Sequence, residues 1–252
     1  MLHHERLTIL ASMPRWVRWE HQARYAFAAR HVRDQRVVDC ACGEGDGASA
    51  FLAAGARSVE AFDVSADAVA RAAVRCAAPN FRGRVADGIR LPLARGTVDV
   101  YVALETIEHV ASAEAFLDEV VRVLRPSGCF ICSTPNRAVT NPNRPPGHRL
   151  RNPFHVREYT EEEFRERLQA RFEVVELYGQ NPVSRVRGWV MEQGGRLLPF
   201  YGPLVVHQLS KFPWLFWDRP AVHVVRPLEM GRRYGYLVAI CRRPRASSTP
   251  DS

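Results

Sequence analysis

The sequence predicts an α/β protein with a doubly wound, mostly parallel sheet. Strand patterns and helix patterns alternate along the chain, which is the order that a parallel sheet requires. The first strand pattern leads directly into a loop in which Gly43, Gly45 and Gly47 occupy every second position. Apolar residues make up 46% of the 252 residues, enough for one sizeable core. We therefore expect one domain whose sheet carries a ligand-binding loop.

The elements follow from apolar periodicity and from turn residues. The predicted strands are Arg36–Asp39, Val59–Asp63, Arg82–Ala86, Val98–Leu104, Gly128–Ser133, Phe172–Leu177 and Tyr234–Cys241. The predicted helices are Trp16–His31, Ala48–Ala54, Asp67–Cys76, Ala113–Leu124 and a helix that the capping box Thr160-x-x-Glu163 opens and that runs through Leu168. In the first helix, spacing places Trp16, Trp19, Ala23, Phe27 and Arg30 near one face.

The chain divides into a helical cap over 1–35, a sheet core over 36–179 and a last strand over 234–243. Between the core and the last strand, residues 180–233 form a connection that is long and that contains the apolar segments Leu197–Tyr201 and Phe212–Trp217. We therefore expect these residues to form a lid that helps to build the pocket for a second ligand, the acceptor. The Ser- and Pro-containing tail, 244–252, is expected to be disordered.

Composition restricts the setting more than the substrate. No run approaches 18 apolar residues, and the N-terminus does not have the pattern of a signal peptide. The six cysteines are scattered, as in a reducing cytoplasm. A net charge of +8 would permit a nucleic acid, an anionic lipid or an anionic substrate. No motif in the sequence reads a base sequence, so nucleic-acid binding is not expected.

The glycine loop has two interpretations. Gly43-x-Gly45-x-x-Ala48 fits a dinucleotide fingerprint, and the same loop fits an S-adenosylmethionine (SAM) site. Asp63, placed to bond a ribose diol, fits both cofactors. The acids Glu44 and Asp46 favour SAM, because they would repel a pyrophosphate and attract a sulfonium.

Further motifs give the chain a specific resemblance. The segments Val37–Ala48, Asp63, Asp87, Glu105–Val110 and Leu124–Gly128 resemble the ordered motifs of class I SAM-dependent methyltransferases, in the branch of ubiquinone-biosynthesis O-methyltransferases and bacterial glycan- and secondary-metabolite-associated enzymes. The resemblance implies a Rossmann-like, seven-stranded sheet whose last strand is antiparallel.

The resemblance also implies roles for single residues. Asp39 and the backbone of the three loop glycines would hold the methionine end of SAM. Asp63 would hold the ribose and Val64 would pack on adenine. The remaining implied cofactor contacts are Asp87, Gly88 and Leu104.

A cluster of acids and histidines follows the fourth strand. Glu105, Glu108 and His109 stand at i, i+3 and i+4, so one helical turn would bring them to one face. Together with His155 they resemble a divalent-metal site for Mg²⁺, Mn²⁺ or Zn²⁺. Two alternatives stay open: His109, with Glu108, acts as a metal-free base, or the cluster is structural.

The expected reaction is methyl transfer from SAM to a hydroxyl of a small-molecule, sugar or lipid-linked acceptor. Basic residues of the loop after the fifth strand could meet phosphates of that acceptor; they are Arg137, Arg144, Arg149, Arg151 and Arg157. The aromatic segment Trp214–Trp217 could cap an apolar substrate or touch a membrane, although packing within the lid is the favoured interpretation. Methylation of an amine and a non-catalytic SAM-binding partner subunit remain the alternatives.

Overall fold

The computed structural model describes residues 15–142, 150, 152–183 and 224–245. The helices are α1 Arg15–Ala29, α2 Asp46–Ala53, α3 Ala66–Arg75, α4 Ala113–Val123, α5 Arg137–Thr140 and α6 Glu161–Gln169. The strands are β1 Arg36–Cys40, β2 Ser58–Asp63, β3 Phe81–Val85, β4 Val98–Leu104, β5 Leu124–Pro135, β6 Phe172–Pro182, β7 Arg226–Pro227 and β8 Tyr234–Pro244. Among the described helices, none is long and apolar enough to cross a membrane.

The eight strands form one sheet in the order β3-β2-β1-β4-β5-β8-β6-β7. Strands β1 to β5 run parallel, and β8 lies antiparallel between β5 and β6. The predicted mostly parallel, doubly wound sheet with an antiparallel last strand is thus confirmed. One detail differs: β7, a pair of residues antiparallel to Tyr178 and Gly179, adds an eighth strand. A pairing of two residues has no alternating pattern that a sequence could reveal.

Successive strand residues point to opposite sides of the sheet, so both faces carry apolar side chains. Helices cover both of these faces. One face packs a core that includes Phe116 of α4 and Phe164 of α6. The other face packs a core that includes Phe27 of α1 and Phe51 of α2. At the centre of the sheet, β1 has β2 on one side and β4 on the other. The strand order reverses there, so the carboxyl ends of β1 and β4 flank the crevice where open α/β sheets bind ligands.

The buried face of α1 differs from the predicted one. Glu20 and Arg24 are fully buried together with Phe27 and Ala28, whereas Trp19 is 49% exposed. Apolar periodicity predicts which residues avoid water but not which charged residues find partners inside. In α1, Glu20 and Arg24 lie one turn apart. They contact Asn181 and Gln180 at the end of β6 and Tyr236 at the start of β8.

Candidate functional site

The β1–α2 loop has a backbone that only certain residues tolerate. Gly43 and Gly45 have φ of +53° and +84°, and Ala41 has φ of +58°. A Cβ at Gly45 would lie 2.9 Å from the backbone of Ala72 in α3. Gly45 is also the N-cap of α2, so the loop turns sharply and directs backbone N–H groups of the helix start toward the crevice.

Gly47 and Asp39 form the floor of this loop. A Cβ at Gly47 would lie 2.5 Å from the Tyr25 ring and 2.9 Å from Asp39 Oδ2. Asp39 is buried and accepts a hydrogen bond from the Ala48 N–H, but its Oδ2 has no hydrogen-bond partner. Burial raises the pKa of the Asp39 carboxyl to about 7. A buried, partly unpaired carboxyl fits a cationic group such as the ammonium of SAM.

Asp63 ends β2 beside the same loop. Its carboxylate accepts hydrogen bonds from the Gly43 N–H at 3.0 Å and from the Ser65 N–H at 2.9 Å. A carboxylate has about four lone-pair sites, so two bonds leave acceptor capacity for a ribose diol. The next residue, Val64, is 46% exposed, so its apolar side chain is accessible to a flat ligand.

The loop after β3 carries the other predicted cofactor contacts. Asp87 is exposed and accepts a hydrogen bond from the Ile89 N–H at 3.1 Å. A Cβ at Gly88 would lie 2.9 Å from Cys40 Sγ, so this glycine lets the loop pack closely on β1. Ile89 is 42% exposed, and our sequence analysis missed it as a possible adenine contact. The sequence could have indicated this contact, because Ile89 is an apolar residue only two positions after Asp87. Leu104 is half-buried at the end of β4, beside the crevice.

The two loop acids do not act as the sequence analysis supposed. Glu44 Oε1 lies 3.1 Å from Arg71 Nε, and Asp46 Oδ1 lies 2.8 Å from Arg75 Nη1. Arg75 also donates to the Glu44 carbonyl at 2.9 Å. Both acids are therefore paired with α3 and tie that helix to the loop. Their charge is compensated locally, which removes the electrostatic reason for preferring a cationic cofactor.

The segment after β4 is a turn, so the predicted helical turn over Glu105–His109 is wrong. Glu105 has φ of +53°, and the His109 N–H donates to the Thr106 carbonyl at 2.9 Å. Glu105 instead turns toward β5, where its Oε1 accepts from the Ser133 hydroxyl at 2.6 Å. The left-handed backbone at Glu105 breaks the helical turn, so Glu105 stays near enough to Glu108 to act on it as a charge but does not share a ligand group with Glu108 and His109.

His109 has a defined tautomer. Its Nδ1 lies 3.0 Å from the Phe154 carbonyl oxygen, which can only accept a hydrogen bond. The ring hydrogen of the neutral form therefore sits on Nδ1, and the lone pair sits on Nε2, 4.0 Å from Glu108 Oε1. Glu108 is fully buried, and its carboxyl lies beside the Thr134 hydroxyl, although neither oxygen makes a hydrogen bond of good geometry. Burial, followed by the nearby charge of Glu105, raises the pKa of Glu108 well above its usual range.

The structure brings three of the four predicted metal ligands together. Ligand atoms of Glu108, His109 and His155 all lie within 4.8 Å of one another, and Glu105 is not in this group. His155 is held by two neighbours: Nδ1 lies 2.6 Å from Glu158 Oε1, and Nε2 lies 2.8 Å from Asn152 Nδ2. The unpaired Glu108 oxygens and His109 fit a cation, whereas His155 would first have to release Asn152.

A buried polar cluster under α1 completes the site. The Arg24 guanidinium donates to Gln180 Oε1, lies 3.9 Å from Glu105 Oε1 and stacks 4.5 Å from the Tyr236 ring centroid. Asn181 Nδ2 donates to Glu20 Oε1 at 2.6 Å. Sequence reasoning missed all of these residues except Glu105, because buried charges on a helix carry no periodic signal.

The basic loop after β5 is only partly described. Arg137 pairs with Glu163 at 2.6 Å, and Arg157 stacks on the Tyr159 ring at 5.3 Å. Both thus have partners within the protein, and their phosphate contacts stay predictions. Arg144, Arg149 and Arg151 lie outside the described residues, as does the aromatic segment Trp214–Trp217.

Comparison with known proteins decides the family. Residues 38–132 match the family described as "Methyltransferase domain". A Mycobacterium tuberculosis protein named "Probable S-adenosylmethionine-dependent methyltransferase" is 34% identical over 200 residues, 79% of this chain and 69% of the relative. The chain belongs to the SAM-dependent methyltransferases. A similarly named Mycolicibacterium smegmatis protein is 38% identical over 68% of this chain, which spans 64% of that relative's length.

Other relatives of this methyltransferase differ in the atom that their names say they methylate. A ubiquinone/menaquinone biosynthesis C-methyltransferase of Caulobacter vibrioides is 33% identical over 42% of the chain and 46% of its own length. A ubiquinone biosynthesis O-methyltransferase of Parvibaculum lavamentivorans is 34% identical over 49% of the chain and 51% of its own length. Among solved structures, the YcgJ protein of Bacillus subtilis has a TM-score of 0.59 at 19% identity, covering 88% of this chain and 99% of its own. The family and its cofactor, SAM, are thereby confirmed, and the dinucleotide interpretation is rejected.

Proposed function

We propose that this methyltransferase transfers the methyl group of SAM to a hydroxyl of a small-molecule, sugar or lipid-linked acceptor. The observation that carries the proposal is the imidazole of His109, whose tautomer the Phe154 carbonyl fixes. A hydroxyl must lose its proton during transfer, and a neutral imidazole is a suitable base for it. An amine acceptor would need no such base.

The cofactor contacts of the proposal follow the observed loop. SAM, when bound, supplies a methyl group on a positively charged sulfur. Asp39 faces the methionine ammonium with the oxygen that has no partner, and Asp63 accepts from the ribose hydroxyls. Val64 and Ile89 pack on adenine, and Asp87 accepts from its amino group. Gly43, Gly45 and Gly47 keep the loop open for close approach.

His109 and Glu108 have separate tasks in the transfer. Nε2 of His109 takes the proton from the acceptor oxygen as that oxygen attacks the methyl carbon in line. Transfer would leave the electron pair of the broken carbon–sulfur bond on sulfur, so the bound SAM would supply both the methyl group and the leaving group. The Glu108 carboxyl lies 4.0 Å from Nε2; its raised pKa favours the neutral acid beside a neutral imidazole, and its ionised form would stabilise the imidazolium that forms.

A divalent metal is the second candidate, favoured by the close approach of Glu108, His109 and His155. Such an ion would lower the pKa of the acceptor hydroxyl. Calorimetry with Mn²⁺ alone tests it. Binding that Glu108→Gln and His109→Gln each abolish would support the metal. Full turnover after exhaustive chelation, together with no Mn²⁺ binding, would leave His109 as a metal-free base.

The test of O-methylation uses SAM labelled with ¹³C in the methyl group. Hydroxyl, amine and quinol acceptors are offered, and the carbon chemical shift of the product identifies methyl on oxygen, nitrogen or carbon. We expect methyl ethers. His109→Gln should reduce turnover by about 10²- to 10⁴-fold and leave SAM affinity within about twofold. His31 lies just beyond the end of α1, and His31→Gln is the control, which should retain full turnover.

Other outcomes would identify an alternative. An N-methyl product, or a C-methyl product as in the name of the Caulobacter relative, would overturn the hydroxyl acceptor. SAM binding without turnover on any acceptor would indicate a non-catalytic partner subunit. We place the protein in the cytoplasm, consistent with six free cysteines of which five are buried. Peripheral membrane contact stays a prediction for the segment around Trp214–Trp217.

A further inference from the structure

Residues 152–158, here called the His155 strap, cross the turn that follows β4 and bring a second histidine to it. The Glu108 carbonyl accepts hydrogen bonds from two backbone N–H groups of the strap, at 2.8 Å and 3.2 Å. The Phe154 carbonyl lies 3.0 Å from His109 Nδ1. The ring centroids of His109 and His155 are 4.8 Å apart, with the rings nearly perpendicular at 80°. The strap therefore limits how far the His109 ring can turn.

Asn152 determines which nitrogen of His155 carries the hydrogen. Its Oδ1 accepts from the Phe154 N–H at 3.0 Å, which leaves its Nδ2 donor 2.8 Å from His155 Nε2. Nε2 must therefore accept, and the ring hydrogen of the neutral form sits on Nδ1. This Nδ1 lies 2.6 Å from Glu158 Oε1, which accepts its hydrogen. The amide and the carboxylate together hold the His155 ring in one tautomer and one orientation.

Glu158 is held from two directions. It is 3% exposed, and its Oε2 accepts from the Thr140 hydroxyl and from Asn141 Nδ2, the latter at 2.7 Å. Thr140 is the last residue of α5 and Asn141 is its C-cap, so Glu158 joins that helix to the His155 strap. Hydrogen bonds to a carboxylate are short and strong, and three of them converge on this buried side chain. The His155 ring consequently has little freedom to rotate.

We propose that Glu158 is a positioning residue for methyl transfer: through the fixed ring of His155, it keeps Nε2 of His109 directed at the acceptor oxygen. This inference rests on the proposed function, in which His109 takes the proton. Glu158 contacts neither the acceptor nor SAM in this scheme. Its effect is geometric, because a base that is free to rotate is aligned with its substrate for only part of the time.

Glu158→Gln tests the assignment, because it keeps the size of the side chain and replaces one acceptor oxygen by a donor. If the new amide nitrogen faces His155, that ring must change tautomer or leave Asn152. If the amide oxygen faces His155, the nitrogen meets the Asn141 donor and the attachment to α5 weakens. In both cases the His155 ring loses its fixed orientation.

Nuclear magnetic resonance of the full-length protein reads both rings directly. The protein is labelled with ¹⁵N at histidine, saturated with S-adenosylhomocysteine and measured at pH 8. In the parent, His109 and His155 should each carry hydrogen on Nδ1 and a lone pair on Nε2. In Glu158→Gln, His155 should lose its single tautomer, and the His109 signals should broaden or split as the ring moves. His109 signals that stay unchanged in Glu158→Gln would overturn the proposal.

Kinetics with the hydroxyl acceptor found in the labelling experiment give a second readout. In Glu158→Gln, kcat should fall about 10- to 100-fold, less than in His109→Gln, while KM and SAM affinity stay within about twofold. Glu119→Gln is the matched control: Glu119 on α4 is 7% exposed, and its carboxylate also accepts three hydrogen bonds, from the Leu91 N–H and from two nitrogens of Arg122. Both variants should lose similar unfolding free energy, but Glu119→Gln should keep kcat and both histidine tautomers. Equal losses of kcat in the two variants would contradict the positioning role.

The positioning role and the proposed function fail in different ways. Histidine signals that change as expected in Glu158→Gln, with the methyl group found on nitrogen or carbon, would leave the positioning of His109 standing and refute hydroxyl methylation. Methyl ethers formed at full rate by Glu158→Gln, but not by His109→Gln, would refute the positioning role and leave His109 as the base.

Discussion

The glycine-loop half of the candidate site, here the cofactor half, and the half that we propose for the acceptor, here the acceptor half, lie at the same edge of one sheet but are built differently. The cofactor half, residues 39–89, uses backbone turns, glycines and carboxylates at the ends of consecutive strands. The acceptor half joins α1 and the turn after β4 to β5, β6 and β8. Its hydrogen bonds connect residues far apart in sequence: 156 positions separate Arg24 from Gln180, and 161 separate Glu20 from Asn181.

This difference separates two kinds of constraint. Backbone geometry needs particular residues at fixed short spacings, so it leaves a motif in the sequence. Buried charges need only a partner somewhere in the fold, and the partner's position in the chain is free. We therefore expect single substitutions in the acceptor half to cost more stability, and those in the cofactor half to affect cofactor binding more specifically.

Arg24→Met should have the largest effect. It removes the Arg24 bond to Gln180 and the buried cation beside Glu105, and breaking such a buried pair typically costs about 3–5 kcal/mol of unfolding free energy. Chemical denaturation with and without SAM measures it. The matched control is Arg30→Met, whose guanidinium only stacks on the Phe27 ring at 5.6 Å, and it should cost less than about 1 kcal/mol. Equal losses in the two variants would contradict a special role for the buried cluster.

Gly45→Ala should follow. The new Cβ meets the Ala72 backbone at 2.9 Å and adopts φ of +84°, which together should cost about 2–3 kcal/mol. Gly96→Ala is the control, because φ there is +66° but no atom lies within 4 Å of the added Cβ. It should cost only about 1–2 kcal/mol. The comparison of the two melting curves isolates the close approach between the glycine loop and α3.

Asp39 should make cofactor binding depend on pH. Its pKa is raised to about 7, so the stability contribution of the protonated carboxyl is complete below pH 4 and is lost as the pH rises through 7. The cofactor's ammonium should favour the ionised form, so below pH 7 binding should release up to one proton. Cofactor affinity should then rise by at most about tenfold per pH unit up to pH 7.

Calorimetry in two buffers of different ionisation enthalpy counts that proton. Asp39→Asn should bind SAM more weakly and abolish the release, although it should stabilise the cofactor-free protein at pH 8. Glu20→Gln is the informative control, because burial raises the pKa of Glu20 to about 7 as well, but in the acceptor half. If Glu20→Gln abolished the proton release and Asp39→Asn retained it, the proton would come from Glu20 in the acceptor half and not from Asp39.

The sequence predicts the cofactor half of the site better than the acceptor half. The strands, the capping box at Thr160 and the glycine loop were predicted, because each is specified by neighbouring residues. The buried Glu20 and Arg24 were not predicted, because their partners lie on β6 and β8. Spacing at i, i+3 and i+4 predicts a helical turn over Glu105–His109, but spacing does not reveal that Glu105 adopts a positive φ, which a helix cannot contain. The predicted lid over 180–233 is too wide, because β6 runs to Pro182 and β7 is Arg226–Pro227; the residues between Val183 and Val224 are not described, so a lid there stays a prediction.

Arg75→Gln should have the smallest effect, and it tests whether Glu44 and Asp46 act on the sulfonium of SAM or only tie α3 to the glycine loop. In the sequence, Glu44 and Asp46 favour SAM because they would attract its sulfonium, whereas the choice of SAM rests on the later motifs; in the structure, Arg75 pairs with both acids and bonds the Glu44 carbonyl. These contacts are half-exposed, so losing them should cost about 1 kcal/mol or less. If the acids only tie α3 to the loop, the ratio of SAM to S-adenosylhomocysteine affinity should change by less than about twofold at low salt. Arg71→Gln, which removes one of the two arginines that pair with Glu44, should behave alike. A ratio that rises about tenfold in Arg75→Gln would show instead that the acids sense the sulfonium once their partner is removed.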